Sequence, residues 1–236
     1  MKIEGRNAVT EAIREGRLDC LYVENGTKHP VVNMALENGI KVRYVNRNVL
    51  DKESETGRHQ GFVGVTRDFE YCDTDDILAL AKESKEEPLI VVLDGIEDPH
   101  NLGSIIRSTE CAGVHGIVIP KNRSAQVNET VIRCSAGAAV HMKIARVTNI
   151  NSAIEELKEK GVWTYAADMD GQCVYDADLS GGTAFVIGSE GFGVKRLTRE
   201  LCDGVVSLPV RGQVNSLNAS VACGILVYEA VRRRRG

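Results

Sequence analysis

Leu89-Ile90-Val91-Val92-Leu93 runs straight into Asp94-Gly95-Ile96-Glu97-Asp98-Pro99-His100-Asn101-Leu102-Gly103-Ser104-Ile105-Ile106-Arg107. Five consecutive apolar residues suit a strand of a parallel sheet covered on both faces. The spacing that follows predicts a helix over 101–112 and a strand over 116–119. The alternation continues to the C-terminus. Helices are expected over 126–135, 149–160, 194–201 and 216–235, and strands over 142–145, 162–166, 184–187 and 205–208. Strands alternating with helices predict a doubly wound α/β domain over residues 89–236.

Upstream lies a smaller α/β pattern. Residues 1–70 carry helical spacing at 7–15, 29–38 and 46–52, and strand patterns at 19–24, 41–45 and 61–66. Between the two, residues 71–88 are acidic. Asp73, Asp75 and Asp76 open a helix where its dipole favours them, a charged run follows, and Pro88 closes it. This stretch is expected to be a linker.

The chain has 236 residues, 26% charged and 43% hydrophobic, which excludes disordered, collagen-like and coiled-coil classes. No run approaches the roughly 18 apolar residues of a membrane span, and the first residues are too polar for a signal peptide. A cytoplasmic protein without a membrane partner is expected. The seven Cys never form a Cys-x-x-Cys pair, so reduced, mostly buried thiols are expected. Cys111 and His115 lie four apart without a second ligand pair, so no metal is expected.

A net charge of -4 argues at first against a nucleic-acid partner. Its distribution says otherwise. Residues 1–70 carry 11 basic and 11 acidic side chains, residues 89–236 carry 16 of each, and the surplus acid sits in 71–88. Within the larger domain, five basic residues against one acid gather between Lys121 and Arg146, and eight against three between Lys195 and Arg235. These runs permit a phosphate-binding surface, although a solvated face is the plainer reading. With 11 aromatic residues in the chain, a base-stacking platform is not expected.

Three segments, each following an apolar strand, occupy the places where α/β folds bind ligands. The first is Asp94 to Arg107. There Asn101 reads either as a helix N-cap or as a functional amide, and Arg107 either as a surface or a functional side chain. Gly103 in the first turn costs helix stability, which close approach of a backbone or ligand would explain. The second is Ile187-Gly188-Ser189-Glu190-Gly191-Phe192-Gly193. It is neither the dinucleotide order G-x-G-x-x-G nor a nucleophile elbow, so an ordinary turn and a ligand-wrapping loop remain open. The third, Leu208-Pro209-Val210-Arg211-Gly212-Gln213-Val214-Asn215-Ser216-Leu217-Asn218, leads into the last helix, with Ser216 a candidate N-cap. The stretch 221–228 is apolar all round, as in a helix buried all round, and a second subunit would achieve that burial. A homodimer is expected, with Gly224 allowing close approach.

Together these segments resemble the SpoU (TrmH-like) 2'-O-methyltransferases of the SPOUT superfamily, whose marks are N-x-G-x-x-x-R, G-x-E-G-x-G and a Pro-led loop ending S-L-N. The match covers about residues 89–235, and residues 1–70 resemble the family's small L30e-like domain. Asp98-Pro99-His100-Asn101, Lys121-Asn122-Arg123-Ser124 and His59-Gln60-Gly61 are similar to the branch that methylates a guanosine of 23S ribosomal RNA. Asn215 stands where that branch often has Ser.

The resemblance implies a trefoil-knotted α/β domain. It implies S-adenosylmethionine as cofactor, held by Gly188, Leu208 and Leu217 with Ile187 and Gly191 beside them. It implies catalytic positions at Asn101, Arg107, Glu190, Ser216 and Asn218, in an active site at the interface of a homodimer. The partner implied is 23S rRNA or a ribosomal precursor rather than DNA, because the acceptor is a ribose 2'-OH. The same chemistry on a transfer RNA and a non-catalytic RNA-binding factor are the alternatives. Arg107 is the family's usual candidate base, but a guanidinium has a pKa above about 12 and no acceptor. Arg107 is therefore expected to grip a phosphate and favour the alkoxide, with Glu190 orienting Arg107 or Asn101.

Overall fold

Residues 1–69 and 70–236 form two units in a computed structural model, which describes residues 2–54, 56–66, 68–213 and 216–235. The first unit runs Lys2–Glu4 (β1), Arg6–Arg14 (α1), Leu18–Glu24 (β2), Pro30–Glu37 (α2), Lys41–Val45 (β3), Arg47–Glu53 (α3) and Phe62–Thr66 (β4). The sheet order is β1-β4-β2-β3, with β2 and β3 parallel and β4 antiparallel to both neighbours. Val9, Ile13, Leu21, Val31 and Phe62 fill its core. Strand β1 was not expected, because three residues are too few to show a period. It exists because Gly64 of β4 lets it come close: a Cβ there would meet Leu18 at 2.5 Å and Ile3 at 2.8 Å.

His59 is buried. Its Nδ1 accepts from the Gly61 amide at 3.0 Å, and its Nε2 lies 2.9 Å from Asp51. The ring thereby pins the turn in which Gln60 and Gly61 both take positive φ, leaving Gln60 exposed.

The second unit runs Thr74–Ser84 (α4), Leu89–Asp94 (β5), Pro99–Cys111 (α5), Gly116–Pro120 (β6), Glu129–Cys134 (α6), Ile144–Val147 (β7), Ile150–Glu159 (α7), Trp163–Cys173 (β8), Thr183–Gly188 (β9), Arg196–Leu201 (α8), Gly204–Ser207 (β10) and Ala219–Arg235 (α9). The sheet order is β10-β8-β9-β5-β6-β7, with every strand pair parallel. The chain leaves β5 toward β6 and β7, then returns on the other side through β8 and β9. That reversal places the topological switch between β5 and β9, where Asp94 pairs with Gly188 in register.

Residues 71–88 are not a linker. Cys72 forms a parallel bridge with Ala145, and Ile77 is fully buried over β6. Gly116 makes room for it, since a Cβ there would meet Ile77 at 2.5 Å. Burying such a side chain contributes about 1.5–3 kcal/mol, which a run of acids does not reveal. The acids have local tasks: Asp73 and Asp76 form a reciprocal capping box, and Asp75 pairs with Lys160.

Three further expectations change, and one is sharpened. Asp98, not Asn101, caps α5, accepting from His100 N at 2.9 Å with Pro99 in the first turn. Asn218, not Ser216, caps α9, accepting from Ser220 N at 2.9 Å. Within the single chain, helix α9 leaves Val221, Ile225 and Tyr228 exposed at intervals of four and three residues, a stripe on one face that only a second molecule could bury. Finally, all seven thiols are free, but only Cys20 and Cys223 are buried, and Cys111 is exposed. Burial pushes the Cys223 thiol up to about 12.

His115 staples the start of the sheet. Its Nδ1 accepts from the Leu89 amide at 3.0 Å, and burial, opposed by Glu86 at 3.4 Å, holds the imidazole below the usual histidine range. An unfolded chain therefore takes up this proton first, as pH falls past about 6.5. The stability is present above that pH and lost as pH falls toward the folded value. The urea midpoint is expected to drop between about pH 7.5 and 5.5, and less steeply in His115→Gln. An equal drop in both proteins would exclude His115 as the cause.

Candidate active site

The carboxyl ends of β5 and β9 lie side by side, and each leads into one of the motif segments. After β5, the Asp98 cap and Pro99 start α5 early, so Asn101 falls in the first turn with its side chain buried. After β9, Gly193 N donates to Ser189 O at 2.8 Å and closes a tight loop with Glu190 near its tip. The third segment ends at Asn218, whose Oδ1 is occupied by the α9 cap, so its amide nitrogen is left to donate elsewhere.

These three side chains meet. Asn101 Nδ2 donates to Glu190 Oε1 at 2.6 Å. Asn218 Nδ2 donates to the same Oε1 at 2.6 Å and to Asn101 Oδ1 at 2.9 Å. Hydrogen bonds to a carboxylate are worth about 1.5–3 kcal/mol each, so Glu190 ties three loops that are 89 and 28 residues apart in sequence. Its Oε2 has no hydrogen-bond partner among the described residues. Glu190→Gln puts an amide where the two donors converge. It is expected to slow the catalysed step about 10- to 100-fold by that measure, checked by single-turnover kinetics.

Beside this cluster is a cavity of about 450 Å³, a volume typical of small-molecule sites. Ile187, Gly188, Glu190 and Gly191 line one side, and Leu208, Ser216 and Leu217 another. Gly188 faces it where the chain lies tightest: a Cβ there would stand 1.9 Å from the Gly193 carbonyl carbon. Gly103 is also explained by close approach, but of protein: a Cβ would meet Cys134 of α6 at 2.5 Å.

Arg107 is not in the cluster. Six residues beyond Asn101 on α5, it points around the helix by about 240°. It is exposed and has no hydrogen-bond or ion-pair partner among the described residues. Glu190 therefore orients Asn101 and Asn218 rather than Arg107. Ser216 is exposed on the cavity wall, while Val214 and Asn215 lie outside the described residues.

The sequence reading missed a third wall. Ala167, Asp168 and Met169 also line the cavity, because β8 continues seven residues past the expected end at 166. The extension pairs with β10 across a register shift, and Gly171 permits it, since a Cβ would stand 2.6 Å from the Val205 carbonyl. Arg199 then anchors it through Asp168 at 3.3 Å and Asp170 at 2.6 Å. The polar run Asp168-Met169-Asp170-Gly171 carries no strand period that could have announced this.

Most of the basic run from Lys195 to Arg235 is paired within the chain. Lys195 pairs with buried Asp94, Arg232 and Arg233 with Glu229, and Arg234 donates to the carbonyls of Glu87, Pro88, Leu179 and Gly181. In the run from Lys121 to Arg146, Arg146 stacks on Tyr71 at 4.2 Å, while Lys121, Arg123, Arg133 and Lys143 are exposed.

Parallel strands, a switch-point cavity and an Asn–Glu–Asn cluster are the setting in which the methyltransferase-like motifs sit. Residues 88–228 match the SpoU rRNA methylase family, and residues 2–72 match the RNA 2'-O ribose methyltransferase substrate-binding family. The chain belongs to the SpoU rRNA methylase family. It is 44% identical over 236 residues, covering 98% of this chain and 94% of the other, to the Bacillus subtilis (strain 168) protein YacO, whose name assigns it to the TrmH family of tRNA/rRNA methyltransferases. It is 41% identical over 209 residues to the 23S rRNA (guanosine-2'-O-)-methyltransferase RlmB of Vibrio cholerae, covering 87% and 83%. The structure of the SpoU methyltransferase AviRb from Streptomyces viridochromogenes, in complex with AdoMet, superposes with a TM-score of 0.75 at 26% identity, covering 100% and 90%.

Proposed function

We propose that this protein transfers a methyl group from S-adenosylmethionine to the 2'-OH of a guanosine in 23S ribosomal RNA, as a homodimer with a trefoil-knotted catalytic domain. The observation that carries the reading is the Asn101–Glu190–Asn218 cluster on the rim of the cavity at the β5/β9 switch. The cavity fits the cofactor chemically. Gly188 and Gly191 bring backbone to its wall, and Leu208 and Leu217 offer apolar faces to an adenine.

When bound, S-adenosylmethionine supplies an electrophilic methyl on a sulfonium. The ribose oxygen forms the new C–O bond as the C–S bond breaks, and the 2'-OH proton is released to solvent. The chain's residues solve the alignment, which can supply roughly 7–11 kcal/mol in favourable cases. Glu190 locks the Asn101 and Asn218 amides, and Ser216 on the wall offers a hydroxyl to the acceptor. Arg107 grips the adjoining phosphate and stabilises developing charge on the ribose oxygen.

The dimer is supported by the exposed stripe Val221, Ile225 and Tyr228 on α9. Arg107 stands close to it, because its neighbour Ser108 lies 3.8 Å from where a Gly224 Cβ would be. The first unit, as a substrate-binding domain, docks structured RNA by shape and phosphates. A transfer RNA substrate is the second reading, favoured by the broader tRNA/rRNA name of the Bacillus subtilis relative. Incubation with radiolabelled S-adenosylmethionine and either unmodified 23S fragments or bulk tRNA decides between them. Label in a 23S guanosine is expected. Label in tRNA alone would replace the substrate, and no label in either would overturn the function.

A further inference from the structure

Phe192 is 93% exposed, far beyond the next large apolar side chains, Met169 at 60% and Trp163 at 59%. It is no stray surface residue. It sits two positions after Glu190, at the tip of the loop closed by the Ser189–Gly193 bridge, on the rim of the cavity. The tip is stiff. Gly193 takes φ +63°, its amide donates to Ser189 O at 2.8 Å, and its backbone packs so close to Gly188 that no Cβ fits between them. Glu190 anchors the same tip to α5 and to the α9 cap through Asn101 and Asn218. A rigid loop therefore holds a solvated phenyl ring beside the catalytic amides, at the cost of leaving its apolar faces in water.

The reaction explains what the ring is for. Picking out one ribose 2'-OH for a methyl donor favours a nucleotide splayed from its neighbours, since site-specific RNA recognition targets unstacked loops and bulges. Proteins hold such bases by stacking them on aromatic side chains. We propose that Phe192 is a positioning residue that stacks on the base of the target nucleotide, or of its immediate neighbour, and so holds the ribose at the cavity mouth. One ring suffices, which fits a chain with 11 aromatic residues. Stacking tolerates any base, so Phe192 would set affinity and register rather than select guanosine. The inference rests on the RNA methylation reading above.

The test compares Phe192→Ala, Phe192→Leu and Phe192→Tyr as full-length dimers, on whichever RNA the wild type methylates. Losing one stacked base is expected to raise the RNA KM of Phe192→Ala about 5- to 100-fold, with kcat changed less. Phe192→Tyr, which keeps the π face, should stay near wild type, and Phe192→Leu should resemble the Ala variant. S-adenosylmethionine affinity by calorimetry and dimer mass by sedimentation should not change. An RNA KM within twofold of wild type in Phe192→Ala would overturn the proposal. So would full rescue by Leu, a parallel loss of cofactor affinity (a cofactor wall) or dissociation of the dimer (a subunit contact). Failure of the wild type to methylate any RNA would instead sink the proposed function, which separates the two.

Discussion

Arg107→Ala is expected to lower kcat about 10²–10³-fold while leaving S-adenosylmethionine binding and stability nearly unchanged. The residue is exposed and makes no hydrogen bond or ion pair among the described residues, so its removal costs the fold little. Arg107→Lys keeps the charge but loses the fork, and near-normal turnover in that variant would sink a bidentate grip on phosphate. Arg107 is apart from Asn101, Glu190 and Asn218 in its own chain, and its neighbour on α5, Ser108, faces Gly224 beside the exposed α9 stripe. In a two-fold dimer, each site would then combine one chain's cluster with the partner's arginine. Mixing inactive Arg107→Ala with inactive Glu190→Ala would regenerate one intact site per heterodimer. Random exchange should restore about a quarter of wild-type activity. An arginine acting within its own chain would give no recovery.

Gly188→Ala is expected to abolish measurable cofactor binding and to destabilise the larger unit by about 1–3 kcal/mol or more. The added methyl would stand 1.9 Å from Gly193 C, 2.1 Å from Gly193 O and 2.1 Å from Val194 N. All three are backbone atoms, so no side chain can rotate away and the whole loop must move. That loop carries Glu190, and displacing it would open the cavity and break both amide hydrogen bonds. Gly191→Ala is the control. A methyl there meets nothing within 4 Å, so its thermal midpoint should match the wild type. Equal melting of Gly188→Ala and wild type, with cofactor binding retained, would refute the close-approach argument. Calorimetry and thermal unfolding read both effects.

Much of the candidate site was legible because its residues sit in short motifs behind strands. Asn101 and Glu190 could be nominated from their motifs, as could the cavity glycines, and Asn218 through the family resemblance. Their caps could not. Asp98 and Asn218, rather than Asn101 and Ser216, start the two helices. An Asn at a helix start looks the same whether its oxygen caps the helix or its amide serves a neighbour, and only the hydrogen-bond partners distinguish the two. The acidic stretch 71–88 misled for a related reason. Its charges face water, and burial rests on a few apolar residues such as Ile77 whose partner strand lies far along the chain.

By itself the sequence determined the alternating α/β plan, the larger unit with ligand loops after its strands, and the family those loops identify, because strand period, helix period and glycine placement are local properties. The tertiary structure decided which groups meet. One carboxylate oxygen gathers two amides from distant segments, an unannounced extension of β8 makes a cavity wall, most of the C-terminal arginines are used internally, and Arg107 is left outside its own chain's cluster. Pairing across long loops depends on register, close approach and which donors remain unused, and none of these is a property of any single segment.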